Sequence, residues 1–178
     1  MSTVTPNAPD ELRYPLGKFQ RPAEPLDAAA RATFIDIIAA TPANLAEAVR
    51  GRTEAQLDTP YRPGGWTVRQ LVHHVADSHM NAYIRVKLAL TEDAPAIKAY
   101  DENEWAKLSD SSAPIDMSLT LLTALHDRWV RLMRSMQPSD FTRTLTHPDR
   151  GPITVDFLLA LYAWHGPHHT AHITRKSS

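Results

Sequence analysis

Apolar residues recur along this chain at intervals of three and four, and four long stretches keep that period for several turns. The first runs from about Asp27 to Arg50, with Phe34, Ile37, Ile38, Leu45 and Val49 on one side. Pro42 lies within it, without an N–H and crowding the carbonyl four residues back, so the spacing predicts a kink, with Thr41 capping a second segment. The second stretch follows a capping box formed by Thr67 and Gln70 and extends from Val68 to about Leu90. Its stripe is Val68, Leu71, Val72, Val75, Ala82, Tyr83 and Val86. The third spans about Ser118 to Met136, with Leu119, Leu122, His126, Trp129 and Met133 inward. Thr154 caps the fourth, whose first turn carries Asp156 and whose stripe is Val155, Leu158, Leu161 and Tyr162.

The segments between are short on periodicity. Thr53 and Gln56 have capping-box spacing for one turn of helix, and Tyr61-Arg62-Pro63-Gly64-Gly65-Trp66 reads as a tight loop. From Thr91 to Ser118 only a short helix opened by Asp101 is predicted, and Thr144 to Ile153 around His147-Pro148-Asp149-Arg150-Gly151 predicts at most a small hairpin. Residues 1–25 contain five prolines and read as an extended arm, flexible at first and laid across the domain near Tyr14-Pro15-Leu16-Gly17. The expected architecture is all-α: one four-helix bundle over residues 26–178 with long crossovers.

The fourth stripe changes character halfway. Beyond Tyr162, positions His165, His169 and His172 continue the apolar face, with His168 at its margin. Residues four apart stand one above the other, so His165 and His169 have the spacing by which one helix offers two nitrogens to one metal ion. A third ligand must come from another helix. The second stretch offers His73, His74 and His79; His79 lies near the middle of its stripe, and His74 beyond its edge on a polar strip with Ser78, Asn81 and Arg85. Periodicity does not choose between His74 and His79. His126 is a further inward histidine. Asp77 and Asp156 are candidates for orienting ligands, or for stabilising helices. Gly166-Pro167 between the paired histidines predicts a bend.

Composition excludes some chemistry. The chain has 178 residues, 43% hydrophobic and 22% charged, with net charge −1, which gives no basic face for nucleic acid and no attraction to a membrane. No leader and no apolar run of membrane-span length is read from the sequence, so the cytoplasm is the expected location. Cysteine is absent, so any metal is held by nitrogen and oxygen, and any sulfur nucleophile comes from a cosubstrate.

Asp58-Thr59-Pro60-Tyr61-Arg62-Pro63-Gly64-Gly65-Trp66-Thr67-Val68-Arg69-Gln70, running into His73-His74-Val75-Ala76-Asp77-Ser78-His79-Met80-Asn81, resembles the YfiT-type branch of the DinB superfamily. Tyr162-Ala163-Trp164-His165 and Ala171-His172-Ile173 match its C-terminal signature, and the likeness runs from Tyr14 to Thr174. The resemblance implies a four-helix bundle with one divalent metal ion, zinc or nickel, held by His74, His165 and His169. His79 and His126 then stand behind the ligands, and Ser78, Asn81 and Arg85 become candidates for holding a small-molecule substrate, Arg85 through a carboxylate. The activity implied is that of a metal-dependent hydrolase or of a low-molecular-weight-thiol (bacillithiol-type) S-transferase. The alternatives are a non-catalytic metal- or ligand-binding bundle and a metal-free interaction module. A homodimer is expected from the family, with Ile97, Tyr100 and Trp105 of the crossover as apolar candidates.

Overall fold

The computed structural model describes residues 10–175. Residues 1–9 of the expected arm, and the last three residues of the chain, lie outside them. Helix α1 (Asp10–Arg13) opens the described chain, and a turn at Tyr14–Gly17 follows, closed by Gly17 N–H donating to the Tyr14 carbonyl at 2.9 Å. The bundle consists of α2 (Ala28–Val49), α4 (Val68–Thr91), α6 (Ile115–Ser135) and α7 (Val155–Thr174), with the single turns α3 (Glu54–Leu57) and α5 (Glu102–Trp105) in the crossovers. The first two long helices are not neighbours: α2 and α4 each pack against α6 and α7. Strands β1 (Thr144–His147) and β2 (Gly151–Thr154) form one antiparallel hairpin before α7. The crossover after α4 lies along its edge, with Ile97 N–H on the Thr146 carbonyl at 3.0 Å.

The local signals are realised as hydrogen bonds. Thr53 and Gln56, and Thr67 and Gln70, make both halves of their capping boxes, and the Thr154 hydroxyl accepts from Phe157 N–H at 2.9 Å. Helix α6 begins three residues before the expected Ser118, because Pro114 supplies the N-terminal boundary. The core runs between the four long helices, with Ile38, Leu45, Leu71, Val72, Leu122 and Trp129 wholly or almost wholly buried. Ile97 belongs to that core, and the Tyr100 ring lies tilted against Trp105 with centroids 4.3 Å apart, so these crossover residues are engaged within the chain.

At both internal prolines the helix continues in one piece. Helix α2 is continuous through Pro42, and Thr41 donates its hydroxyl to the Ile37 carbonyl instead of capping a new segment. Pro42 leaves the Ile38 carbonyl without its helical donor, and His126 on α6 takes that place, Nδ1 lying 2.7 Å away. Helix α7 likewise runs unbroken past Pro167. Its neighbour Gly166 meets α2 so closely that a Cβ there would lie 2.6 Å from the Thr41 side chain. Helix α2 is also alanine-rich enough, at a mean hydropathy of 1.2, to match a membrane span by length and composition. Its Ile35, Ile38, Leu45 and Val49 are nonetheless buried against the other bundle helices.

Asp156 is taken up by Arg31 and the Leu26 backbone. It is 1% exposed and receives Arg31 in a two-pronged pair, Nε–Oδ1 2.9 Å and Nη2–Oδ2 2.7 Å, together with Leu26 N–H at 3.0 Å. It therefore fastens the start of α2 and the segment before it to the start of α7. Burial raises the pKa of half-buried Asp77, with the nearby charge of Asp110 adding to the effect.

Candidate metal centre

Three imidazoles converge where α4 meets α7. His165 Nε2 lies 3.3 Å from His74 Nε2 and 3.2 Å from His169 Nε2. His74 comes from the second turn of α4, and the other two come from successive turns of α7. Bonds of about 2.0–2.1 Å at tetrahedral angles set ligand nitrogens roughly 3.3 Å apart, so the three atoms are spaced as ligands of one ion.

Burial keeps the donors neutral. Desolvation lowers the pKa of His74 to about 4 and those of His165 and His169 well below the ordinary histidine range, with neighbouring imidazoles adding to the effect in the latter two. A neutral imidazole has one N–H and one lone pair, so the partner of each Nδ1 decides what Nε2 presents. The Ile38 carbonyl can only accept, so His126 Nδ1 carries the proton and His126 Nε2 is an acceptor. His79 Nδ1–H donates to it at 2.8 Å, leaving His79 Nε2 as the acceptor for His165 Nδ1–H at 3.1 Å. His165 Nε2 is thereby left with its lone pair facing the His74 and His169 rings. His79 and His126 are 0% and 2% exposed, and burial lowers the pKa of both, so the direction of this chain is fixed.

A second chain serves His169. His172 Nε2–H donates to the Arg13 carbonyl at 3.1 Å, so its Nδ1 accepts from His169 Nδ1–H at 3.4 Å. The segment before the bundle thus reaches the centre through its backbone. His168, His169 and His172 also lie close enough to form a triad of their own, but His169 already directs Nε2 to the first set. His168 stacks on Trp164 at 4.1 Å. His73 is not a ligand: its Nδ1 meets the Ser118 hydroxyl at 2.7 Å and its Nε2 the Ala113 carbonyl at 3.0 Å, joining α4 to the chain entering α6.

The loop before α4 supplies aromatic walls. Tyr61 N–H donates to the Trp66 carbonyl at 3.1 Å, closing the turn, and Gly64 takes a φ of +67° that a side chain would strain. Trp66 then lies against the His74 ring at 4.6 Å and Tyr61 against His172 at 4.2 Å. Arg69 anchors this loop to α4, with Nε 2.7 Å from Asp58 and Nη2 2.5 Å from Glu54.

The three ligand candidates open onto a cavity of about 760 Å³, whose wall also includes Ser78, Arg85, Tyr100 and Tyr162. Ser78 Oγ lies 3.3 Å from the Tyr162 hydroxyl, and burial raises the pKa of Tyr162, so this phenol keeps its proton. Asn81 is not part of the wall; its amide turns back to the Asp77 carbonyl at 2.9 Å. Sequence reasoning missed the contribution of the hairpin, whose His147, Asp149 and Arg150 close one side of the cavity. Only the polar character of that turn signalled it.

Comparison with known proteins agrees with this geometry. The DinB superfamily model matches residues 37–173. A protein of Bacillus cereus strain AH820 is 53% identical over 169 residues, covering 93% of this chain and 95% of its own, and bears the name "Putative metal-dependent hydrolase". A protein of Bacillus anthracis with the same name matches equally well. Among solved structures, one titled "YfiT from Bacillus subtilis is a probable metal-dependent hydrolase with an unusual four-helix bundle topology" superposes with a TM-score of 0.89 at 50% identity. It covers 92% of this chain and 94% of its own. With nearly its whole length matched in sequence and in the packing of its four helices, the chain belongs to the DinB superfamily, in its YfiT-like branch.

Proposed function

We propose that this chain is a metal-dependent enzyme in which His74, His165 and His169 hold one divalent ion, and a small substrate enters through the adjoining cavity. The observation that carries the reading is the convergence of three neutral Nε2 atoms, 3.2 and 3.3 Å apart in adjacent pairs, at the wall of that cavity. Three protein ligands with room beside them form the donor set of a catalytic site, whereas a structural site closes with a fourth. A nitrogen-only set suits zinc or nickel. A divalent ion bound there supplies Lewis acidity and lowers the pKa of a water or thiol that reaches it. The chain's own residues do the rest: Trp66 and Tyr162 wall off solvent, and the Ser78 and Tyr162 hydroxyls offer hydrogen bonds to substrate.

The names of the relatives favour hydrolysis. Transfer of a small thiol is favoured by a different observation. Among the described residues, no carboxylate belongs to the histidine cluster, so a water molecule there has no adjacent acid side chain to take its proton. A thiol reaches its anion far more readily, and this cysteine-free chain needs it as a cosubstrate. The test is to strip the protein with a chelator, reconstitute it with zinc or nickel, and assay simple esters and amides beside conjugation of small thiols to an electrophile. Conjugation faster than hydrolysis, lost on chelation and restored by metal, is the expected result. Metal-independent conjugation, or turnover of hydrolase substrates alone, assigns the site to hydrolysis.

A further inference from the structure

We propose that the outer part of the cavity is an anion subsite, where Arg85 and Arg150 hold a carboxylate or phosphate of the substrate away from the group that reacts at the three histidines. This deepens the function proposed above and rests on it.

The cavity wall is strongly cationic in a chain whose net charge is −1. It carries Arg13, Arg62, Arg85 and Arg150 against the two carboxylates Glu102 and Asp149, both exposed at its rim. Elsewhere Arg21, Arg31, Arg69, Arg131 and Arg134 each lie within 3.1 Å of a carboxylate oxygen. Among the described residues, none of the four cavity arginines has such a partner. Arg62 is engaged by the Tyr61 hydroxyl at 3.1 Å and the Pro63 carbonyl at 3.2 Å, and Arg13 sits over the Tyr14 ring. Arg85 is half-buried; it makes one long bond, 3.3 Å to the Lys98 carbonyl, and also hydrogen-bonds the Tyr162 hydroxyl, which leaves part of its five-donor fork to face the cavity. A guanidinium part-way out of water with free donors on a cavity wall is built for a planar anion.

Arg85 and Arg150 face one spot from two elements. Arg85 stands on α4, and Arg150 stands in the turn between β1 and β2. The positive charge of each is felt by the same two groups, helping to lower the pKa of His147 and opposing the rise at Tyr162. Asp149 approaches His147, Oδ2 lying 3.8 Å from Nδ1, and pairs with neither arginine. Tyr162 connects the spot to the metal centre, its ring 5.4 Å from His165 and its hydroxyl on Ser78. Along α4, Arg85 lies eleven residues beyond His74, about 16 Å at 1.5 Å per residue, and its side chain leans back toward the helix start. The subsite thus suits a molecule whose anionic group and reacting group are several bonds apart.

The test uses the zinc-loaded protein and calorimetric titration with the dicarboxylates glutarate, adipate and suberate, beside the monocarboxylates of equal length and a phosphonate analogue. One dicarboxylate should bind at least tenfold more tightly than its monocarboxylate, and Arg85→Gln and Arg150→Gln should each cut that advantage to about threefold or less. Arg131→Gln, with the same loss of charge on the outside of α6, should leave it intact. A phosphonate bound more tightly than the carboxylate supports the subsite and assigns it to phosphate. No dicarboxylate advantage, or one that survives both cavity substitutions, overturns the proposal. Zinc titration of the same samples comes first, so a chain that binds no metal sinks the metal-enzyme reading separately.

Discussion

His126 touches no candidate ligand, yet it sets what His165 offers. His126→Phe keeps an aromatic ring of similar volume and removes the acceptor of His79 Nδ1–H. His79 can then reverse its tautomer, and His165 no longer has a fixed acceptor for its own Nδ1–H. Zinc affinity is expected to fall about 10- to 100-fold, the usual effect of losing a partner that orients a ligating histidine. The ¹⁵N shifts of His165 should change with it. Unchanged affinity and shifts, with only a lower unfolding temperature, would reduce His126 to a packing residue. The pairing of His165 with His169 was legible from helical period alone. The choice between His74 and His79 was not, because period gives an angle around the helix and not the depth at which a ring meets its neighbours. Both face the centre: His74 Nε2 lies 3.3 Å from His165 Nε2, and His79 stands behind His165. The roles of His126 and His172 depend on carbonyls of Ile38 and Arg13, far away in sequence, and no local pattern carries them.

At the scale of elements, the crossing of α2 and α7 holds two of the three candidate ligands in place. Thr41-Pro42 on one helix faces Gly166-Pro167 on the other, and Gly166 lies directly between His165 and the residues leading to His169. Gly166→Ala would bring its Cβ to 2.6 Å from the Thr41 Cγ2 and Oγ1. The helices must separate, with an expected loss of roughly 1–3 kcal/mol, typical of overpacking, and weaker zinc binding. Thr41→Ala removes both clashing atoms and leaves Cβ, which sits 3.2 Å from the added methyl. The double variant should therefore recover much of the loss, measured as non-additivity in thermal unfolding. Additive losses would mean that the close approach is not what glycine provides. The four helices, both capping boxes and the hairpin were legible because each rests on local chemistry. The second segment expected from Pro42 rests on local chemistry too, but here the neighbouring helix decides: the carbonyl that Pro42 leaves free is taken by His126, and α2 continues as one helix.

For the whole molecule, seven imidazoles on α4, α6 and α7 whose pKa values are depressed make the metal-free fold sensitive to acid. Desolvation lowers the pKa of His74, His126 and His172 to about 4 and that of His168 to about 3, and His79, His165 and His169 are also depressed. The unfolded chain binds protons on these residues near pH 6.5, and the folded chain does so only well below that. Their contribution to stability is complete above about pH 6.5 and is lost as pH falls through the interval down to about 4. For His126, buried and lowered to about 4, the loss is roughly 3 kcal/mol. Several such residues titrating together exceed a large part of the 5–15 kcal/mol usual for a domain. Helical circular dichroism of the chelated protein should therefore show a steep, cooperative transition between about pH 6 and 4. Saturating zinc competes with protons for His74, His165 and His169 and stabilises only the assembled site, so it should shift the midpoint to lower pH. A metal-free protein that stays folded to pH 3, or a midpoint indifferent to zinc, would show that these histidines neither sit as deeply nor converge as closely as the fold places them.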